Sequence, residues 1–206
     1  KGKSQSVFFV KKNLTKEQVL QIQNQFENGV YVLNNAERWY SDGQKFSSIV
    51  GYAGKVSQKD LQEDSFYSIN DRKGRAGVEE SYEDYLRGNH GRVFFDRISK
   101  KYLINNPTTG NNLTLNINSD IQKNLYDSLN NILRTTGLKA ASAVVQNPGT
   151  GEILGLVSFP SFDNNLLVGD LDESTYKNYF ENKNKPIFNR AIGGKYNPGS
   201  TIKPLL

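Results

Sequence analysis

The most constraining pattern in this chain is an amphipathic helix signal that is followed directly by a hairpin signal. Ser119 and Gln122 form a capping-box pair, and apolar residues then recur at helical spacing as far as Gly137, a typical C-terminal glycine. The segments Ala141–Gln146 and 152–157 flank a turn-rich loop, so we expect them to pair as antiparallel strands. The predicted apolar face of the helix comprises Ile121, Leu125, Leu129, Ile132 and Leu133.

Weaker patterns along the rest of the chain extend this prediction to an α+β fold. The further predicted elements are strands at 7–10, 29–33 and 113–117, a helix opened by the capping-box pair Thr15 and Gln18, and a surface helix at 172–182. Residues 34–110 are rich in loops and aromatic side chains, with only short periodic stretches. This change in character places a domain boundary near Asn111, between domains 1–110 and 111–206.

The composition excludes several classes of protein. The chain has 206 residues, enough to bury a core, and it has no cysteine, which excludes disulfides, thiolate nucleophiles and cysteine-bound zinc. The net charge of +5 comes from scattered lysines and arginines rather than from a basic stripe, so we expect no nucleic-acid partner. No apolar run is long enough to span a membrane, and the absence of methionine suggests a piece of a longer protein.

A serine and a lysine three residues apart, Ser200 and Lys203, form the strongest chemical signal. If a helix begins at the serine, the two side chains lie on one face and the lysine amine can take the hydroxyl proton. Pro198-Gly199 is typical of a tight turn, which would place Ser200 where backbone N–H groups face negative charge. The pattern predicts acyl transfer, with Ser200 as the nucleophile and Lys203 as its base.

Other residues that could take part in chemistry have simpler interpretations. Ser174 and Lys177 share the same spacing, but they follow Asp172 and Glu173, which is typical of the start of an exposed helix. His90 lies in a glycine-bracketed loop and no Gly-x-Ser-x-Gly elbow exists, so we interpret it as a loop residue. An acidic cluster is interpreted as a solvated helix face rather than as a metal site; its members are Glu79, Glu80, Glu83 and Asp84.

Several longer segments resemble one protein family. Residues 189–204, which include Asn-Pro-Gly-Ser-Thr-Ile-Lys-Pro, resemble the active-site serine motif of the class B penicillin-binding transpeptidases. Residues 146–155 are similar to the first hairpin of that family's transpeptidase domain, and residues 77–88 are similar to its pedestal motif. Residues 194–198 and 159–163 favour the elongation type, penicillin-binding protein 2.

The resemblance implies an irregular pedestal domain of the dimerisation type over residues 1–110, followed by the N-terminal part of a transpeptidase domain over 111–206. It implies a peptidoglycan D,D-transpeptidase that cross-links stem peptides during cell elongation through an acyl-enzyme on Ser200, with Lys203 as the base. Such an enzyme is a target of β-lactams and needs no metal or organic cofactor. The implied location is the periplasmic face of the cell inner membrane, with an anchor outside this chain, and the implied partner is a membrane glycosyltransferase.

The resemblance also sets limits and leaves alternatives. The family's remaining motifs, of Ser-x-Asn and Lys-Thr-Gly type, are expected after Leu206, so we expect this chain alone not to turn over substrate. One alternative is a non-catalytic pedestal module that binds the glycosyltransferase, and another is division-type penicillin-binding protein 3. A third, a β-lactam sensor or serine β-lactamase, is disfavoured by residues 77–88 because those proteins lack a pedestal.

Overall fold

The computed structural model describes residues 14–25, 30, 32, 38–90, 92–96, 101–200 and 203. The chain divides into two units, Lys1–Glu37 and Arg38–Leu206. In the first unit, helix α1 (Lys16–Gln25) begins with the predicted capping box, because the Thr15 N–H donates to Gln18 Oε1 at 3.2 Å and the Gln18 N–H donates to Thr15 Oγ1 at 3.3 Å. The predicted strand at 7–10 and most of that at 29–33 lie outside the described residues.

The second unit mixes short helices with antiparallel hairpins, which confirms the predicted α+β class. Its elements are α2 (Gly43–Val50), β1 (Tyr52–Lys55), α3 (Gln58–Glu63), β2 (Arg72–Ala76), α4 (Gly77–Ser81), α5 (Glu83–Leu86), β3 (Arg92–Asp96), β4 (Lys101–Asn105), α6 (Ser119–Thr136), β5 (Ala141–Gln146), β6 (Ile153–Phe159), a 3₁₀ helix (Asn164–Leu167), α7 (Glu173–Phe180) and α8 (Arg190–Gly193). The paired strands are β1 with β2, β3 with β4, and β5 with β6. Within the described ranges, no helix has both the length and the apolar character that crossing a bilayer requires.

The predicted helix and the hairpin that follows it are both confirmed, as α6 and as the pair β5 and β6. Helix α6 ends at Gly137, whose φ of 73° is the left-handed conformation that favours glycine. Strands β5 and β6 then pair from Ala141 opposite Phe159 to Gln146 opposite Ile153, with a bulge near the loop. The predicted surface helix is also present as α7, and the side chain of Asp172 caps it by accepting from the Thr175 N–H at 2.7 Å.

The start of α6 differs from the prediction. Asn118, not Ser119, caps the helix, since its Oδ1 accepts from the N–H groups of both Asp120 and Ile121 at 3.0 Å. Gln122 is therefore free of a capping role and lies fully buried against β6. The fully buried residues of α6 are Gln122, Tyr126 and Leu133, and the predicted face residues Leu125 and Leu129 pack against the same core. Ile132, also predicted on that face, is 50% exposed.

The predicted strand at 113–117 is wrong, because this described segment has no regular secondary structure. A strand needs a ladder of backbone partners, whereas this region contacts the hairpin through the Asn116 side chain, which donates to Glu152 Oε1 at 2.7 Å, and through the Asn118 N–H, which donates to the Leu154 carbonyl at 2.9 Å. The alternation of apolar residues reflects partial burial of Leu113 and Ile117, while Leu115 is 36% exposed.

Two apolar clusters of the described residues hold the second unit together. The first joins α6 to β6 through Tyr126, Leu133, Val157 and Phe159. The second contains Tyr52, Phe162 and Leu167, so it contains residues from both sides of the predicted boundary near Asn111. The boundary itself remains a prediction, but the residues on either side of it share a packed core.

Candidate active site

The Ser200 segment follows α8 near the C-terminal end of the chain. Gly199 has a φ of 56°, the left-handed conformation that the predicted turn requires, and Ser200 follows it in 3₁₀ geometry. Lys203, the predicted base, lies three residues further along the chain. Both side chains are exposed, and neither has a hydrogen bond or ion pair to another described residue. Their catalytic roles remain a prediction.

Close packing determines the path of the chain between α8 and Ser200. A Cβ atom on Gly194 would lie 2.5 Å from the Arg190 carbonyl oxygen and 2.4 Å from a ring carbon of Tyr196. Only glycine allows this approach of backbone and ring. Gly194 lies in the segment that resembles the family's serine motif, and its role there is steric, because it lets the chain pass close to Arg190 and Tyr196 before it reaches Ser200.

The second Ser-x-x-Lys match is the exposed helix start that the sequence indicated. Ser174 Oγ donates to Asp172 Oδ1 at 2.6 Å, and Lys177 pairs with Glu173 at 2.5 Å along the surface of α7. These contacts use the serine and the lysine separately, one in capping and one in an exposed ion pair.

His90 has partners of its own in an exposed position. Its Nε2 lies 3.2 Å from Asp71 Oδ2, and its ring centroid lies 4.5 Å from that of Phe66. These contacts fit the interpretation of His90 as a loop residue. No group of three or more His, Asp or Glu side chains able to hold a metal ion occurs among the residues that the structure describes.

The prediction of a solvated acidic helix face is wrong for two of its four members. Glu79 is 5% exposed and accepts from the Arg38 guanidinium at 2.6 Å. Glu83 accepts from the Gly74 N–H at 2.8 Å and from the Tyr67 hydroxyl at 2.9 Å. The helix breaks between α4 and α5, so a single helical periodicity does not apply; Glu80 and Asp84 do face solvent.

Burial and charge around Glu79 change the titration of a neighbouring tyrosine. Tyr40 is 8% exposed, and its hydroxyl accepts from the Ala53 N–H at 2.9 Å. Burial first, and then the charge of Glu79, raise the pKa of Tyr40 to about 12. Tyr40 therefore stays neutral, and its hydrogen bond to Ala53 links the loop before α2 to strand β1.

A buried carboxylate at Asp60 was missed by the sequence analysis. Asp60 is 5% exposed and accepts from Arg75 at 2.6 Å, Lys73 at 2.9 Å and the Ser57 hydroxyl at 2.6 Å. The hydrogen bond from Arg75, more than any other contact, holds the pKa of Asp60 well below its usual range. The capping-box spacing of Ser57 and Asp60 was a signal for the local part of this cluster, but nothing local indicated the two cations.

We expect Asp60→Asn to lower the free energy of unfolding by about 3 kcal/mol near neutral pH, because two partly buried cations lose a buried counter-charge. The folded pKa lies below the unfolded value of about 3.9, so the carboxylate's stabilisation is complete above about pH 4 and is lost as the pH falls further. Urea unfolding between pH 2.5 and 7 should show a shallower acid loss in Asp60→Asn. The control is Asp84→Asn, whose carboxylate is 86% exposed and should contribute little. An unchanged acid slope in Asp60→Asn would contradict the prediction.

Two models of protein families match successive parts of this chain. The Penicillin-binding Protein dimerisation domain matches residues 1–115, and the Penicillin binding protein transpeptidase domain matches residues 141–206. The peptidoglycan D,D-transpeptidase MrdA of Acinetobacter baumannii is 34% identical over 86% of this chain and 26% of its own length.

Two solved structures have the same fold. Penicillin-binding protein 2 of Pseudomonas aeruginosa, solved in complex with WCK 5153, is 31% identical with a TM-score of 0.65, over 82% of this chain and 33% of its own. A complex between penicillin-binding protein 2 and MreC of Helicobacter pylori gives a TM-score of 0.72 at 24% identity, over 90% of this chain and 35% of that one.

The extent of these matches identifies the family and the part of it that is present. The chain spans about a quarter to a third of the length of the proteins it matches. The dimerisation match covers more than half of the chain, and the transpeptidase match contains both Ser200 and Lys203. The chain therefore belongs to the penicillin-binding proteins and resembles those of the penicillin-binding protein 2 type.

Proposed function

We propose that this chain is part of a peptidoglycan D,D-transpeptidase that cross-links stem peptides during cell elongation, at the periplasmic face of the inner membrane. The observation that carries the proposal is the position of Ser200 and Lys203, three residues apart within the stretch that matches the transpeptidase domain. The relative from Acinetobacter baumannii, whose name states this activity, supports it.

In the proposed acylation, Ser200 Oγ attacks the carbonyl carbon between the two terminal D-alanines of a stem peptide. The Lys203 amine takes the hydroxyl proton as the C–O bond forms, and the proton passes to the departing nitrogen as the C–N bond breaks. The products are an ester on Ser200 and free D-alanine. The Ser200 backbone N–H is one donor for the oxyanion, and such donors each contribute about 3 kcal/mol to lowering the barrier.

In the second step, an amine from a neighbouring stem peptide attacks the ester carbonyl. The new amide bond cross-links the two peptides, and Ser200 Oγ regains a proton as it leaves. A β-lactam presents a strained amide to the same nucleophile. Ring opening keeps the leaving nitrogen tethered, so the penicilloyl ester persists on the serine and can be measured.

The test is covalent labelling of the full-length protein with a fluorescent penicillin, followed by mass spectrometry of the labelled peptide. We expect one adduct, on the peptide that contains Ser200. A folded protein that remains unlabelled, or that is labelled at another residue, would overturn the proposal.

A second proposal concerns the region that matches the dimerisation domain. We propose that it binds the membrane glycosyltransferase of the elongation machinery, because this region exposes large apolar side chains at Trp39 (77%) and Ile69 (74%). The solved relative in complex with MreC supports a role of this kind of protein in assemblies.

Co-purification from membranes tests this binding separately from catalysis. We expect the glycosyltransferase to remain bound to Ser200→Ala and to be lost from the double variant Trp39→Ala, Ile69→Ser. The surface variant Tyr176→Ala, outside the region, is the control because Tyr176 is 47% exposed. Equal retention by all variants would contradict the assignment of this surface.

A further inference from the structure

Three polar side chains tie the segment before Ser200 to the end of helix α2. They are Ser48 in the last turn of α2, Ser158 in β6 and Asn189 just before α8. Ser158 is 2% exposed, and Ser48 and Asn189 are half-buried. Buried polar groups of this kind restrict geometry more than single surface contacts, since each has a specific partner.

Asn189 uses both ends of its amide. Its Oδ1 accepts from the Ala191 N–H at 3.2 Å and caps α8, while its Nδ2 donates to the Ser48 carbonyl at 2.7 Å. Carbonyls in the last turn of a helix lack an intrahelical partner, so the Ser48 carbonyl is available to this side chain. One residue therefore sets the start of α8 relative to the end of α2.

Ser158 holds the same segment against the hairpin. Its Oγ accepts from the Arg190 N–H at 3.0 Å and donates to the Phe188 carbonyl at 3.2 Å, so it bridges the residues on both sides of Asn189. Its backbone N–H donates to Ser48 Oγ at 3.1 Å. Ser48 thus contacts Asn189 through its carbonyl and Ser158 through its hydroxyl.

We propose that Ser48 and Asn189 are positioning residues that place the Ser200 segment for acylation; this inference rests on the proposed function. Neither residue touches the reacting atoms. They act through α8 and the short segment that joins it to Ser200. Close packing at Gly194 restricts that segment, so a shift of α8 is passed on to Ser200. A misplacement of a nucleophile by about 1 Å can cost on the order of a hundredfold in rate.

The main test measures the first-order rate constant of penicillin acylation in the full-length protein. Asn189→Asp keeps the oxygen that caps α8 but removes the donor to Ser48, and we expect the rate constant to fall about 10- to 100-fold. Ser48→Ala removes the acceptor for the Ser158 N–H and should also slow acylation, whereas Ser48→Thr keeps the hydroxyl and should restore the rate. Ser174→Ala, an exposed serine, is the matched control.

The rate constant separates positioning from loss of folding. A variant that is merely less stable reduces the labelled amount and the Tm, but its folded molecules react at the wild-type rate constant. Wild-type rate constants in Asn189→Asp and Ser48→Ala would overturn the inference, although wild-type labelling at Ser200 would still support the proposed function.

Hydrogen exchange supplies a second readout that does not need penicillin chemistry. In Asn189→Asp we expect faster exchange in peptides spanning 190–203 and unchanged exchange in α6. Unchanged exchange at 190–203 would overturn the positioning role even in a protein that fails to react with penicillin, in which case the proposed function would fail as well.

Discussion

Replacement of Ser200 with alanine is expected to abolish penicillin labelling and to reduce transpeptidation in the full-length protein by at least about a thousandfold. Alanine removes the only atom that forms the ester, so neither an acyl-enzyme nor a penicilloyl adduct can accumulate. Ser200 is exposed and bonded to no other described side chain, so the Tm should remain unchanged. Loss of labelling together with loss of folding would leave the nucleophile unassigned, which is why the Tm is measured in the same sample.

The chain contains a matched control for this experiment. Ser174 and Lys177 repeat the same spacing on the exposed surface of α7, and their contacts are with Asp172 and Glu173. Ser174→Ala should label like the wild type. Lys203→Ala should slow acylation by about 10²- to 10⁴-fold, the usual contribution of a general base, whereas Lys177→Ala should not. Full labelling of Ser200→Ala would remove Ser200 from the mechanism.

Gly51→Ala is expected to destabilise the fold by about 4 kcal/mol, which combines backbone strain and overpacking of about 1–3 kcal/mol each. Gly51 ends α2 with φ 73° and ψ −147°, a conformation that side chains rarely adopt. A Cβ there would lie 1.8 Å from the Ala76 carbonyl oxygen, so backbone atoms would have to move. Alanine would disturb the contact between the end of α2 and residues Ala76 and Gly77, where the segment similar to the pedestal motif begins.

Gly137→Ala is the reference for a glycine of positive φ without a steric clash. Gly137 has the same φ of 73°, but a Cβ there meets no atom within 4 Å. Its replacement should therefore cost only the left-handed strain, about 1 kcal/mol. Urea unfolding of both variants measures the difference. Equal losses would show that the contact between Gly51 and Ala76 is not tight in solution.

Elements whose signals are local were predicted well. The capping box of Thr15 and Gln18 and the helix end at Gly137 were predicted correctly, because each depends on residues within about one helical turn. The hairpin of β5 and β6 was predicted for the same reason, since a short turn-rich loop determines which strands pair.

Predictions failed where a distant partner competed with the local signal. Gln122 matched a capping box with Ser119, yet its amide bonds to the Lys45 carbonyl at 2.5 Å and to the Leu156 N–H at 2.8 Å. Glu79 matched a solvated helix face, yet Arg38 lies against it. A long polar side chain can satisfy its hydrogen bonds locally or across the core, and only packing determines which occurs.

The same division applies to the candidate site. The serine–lysine spacing, the turn before it and the glycine that permits it depend on neighbouring residues, so acyl-transfer chemistry at Ser200 is a prediction that the order of amino acids carries by itself. The hydrogen bonds that hold that segment in place could not be predicted from neighbouring residues. Asn189 and Ser48 are 141 residues apart. The chain contains many other polar residues that could form the same kind of hydrogen bond, so the sequence does not indicate which two pair. Their contact exists because folding brings the open end of α2 against β6 and α8, and burial there leaves a backbone carbonyl that only a correctly placed donor can satisfy.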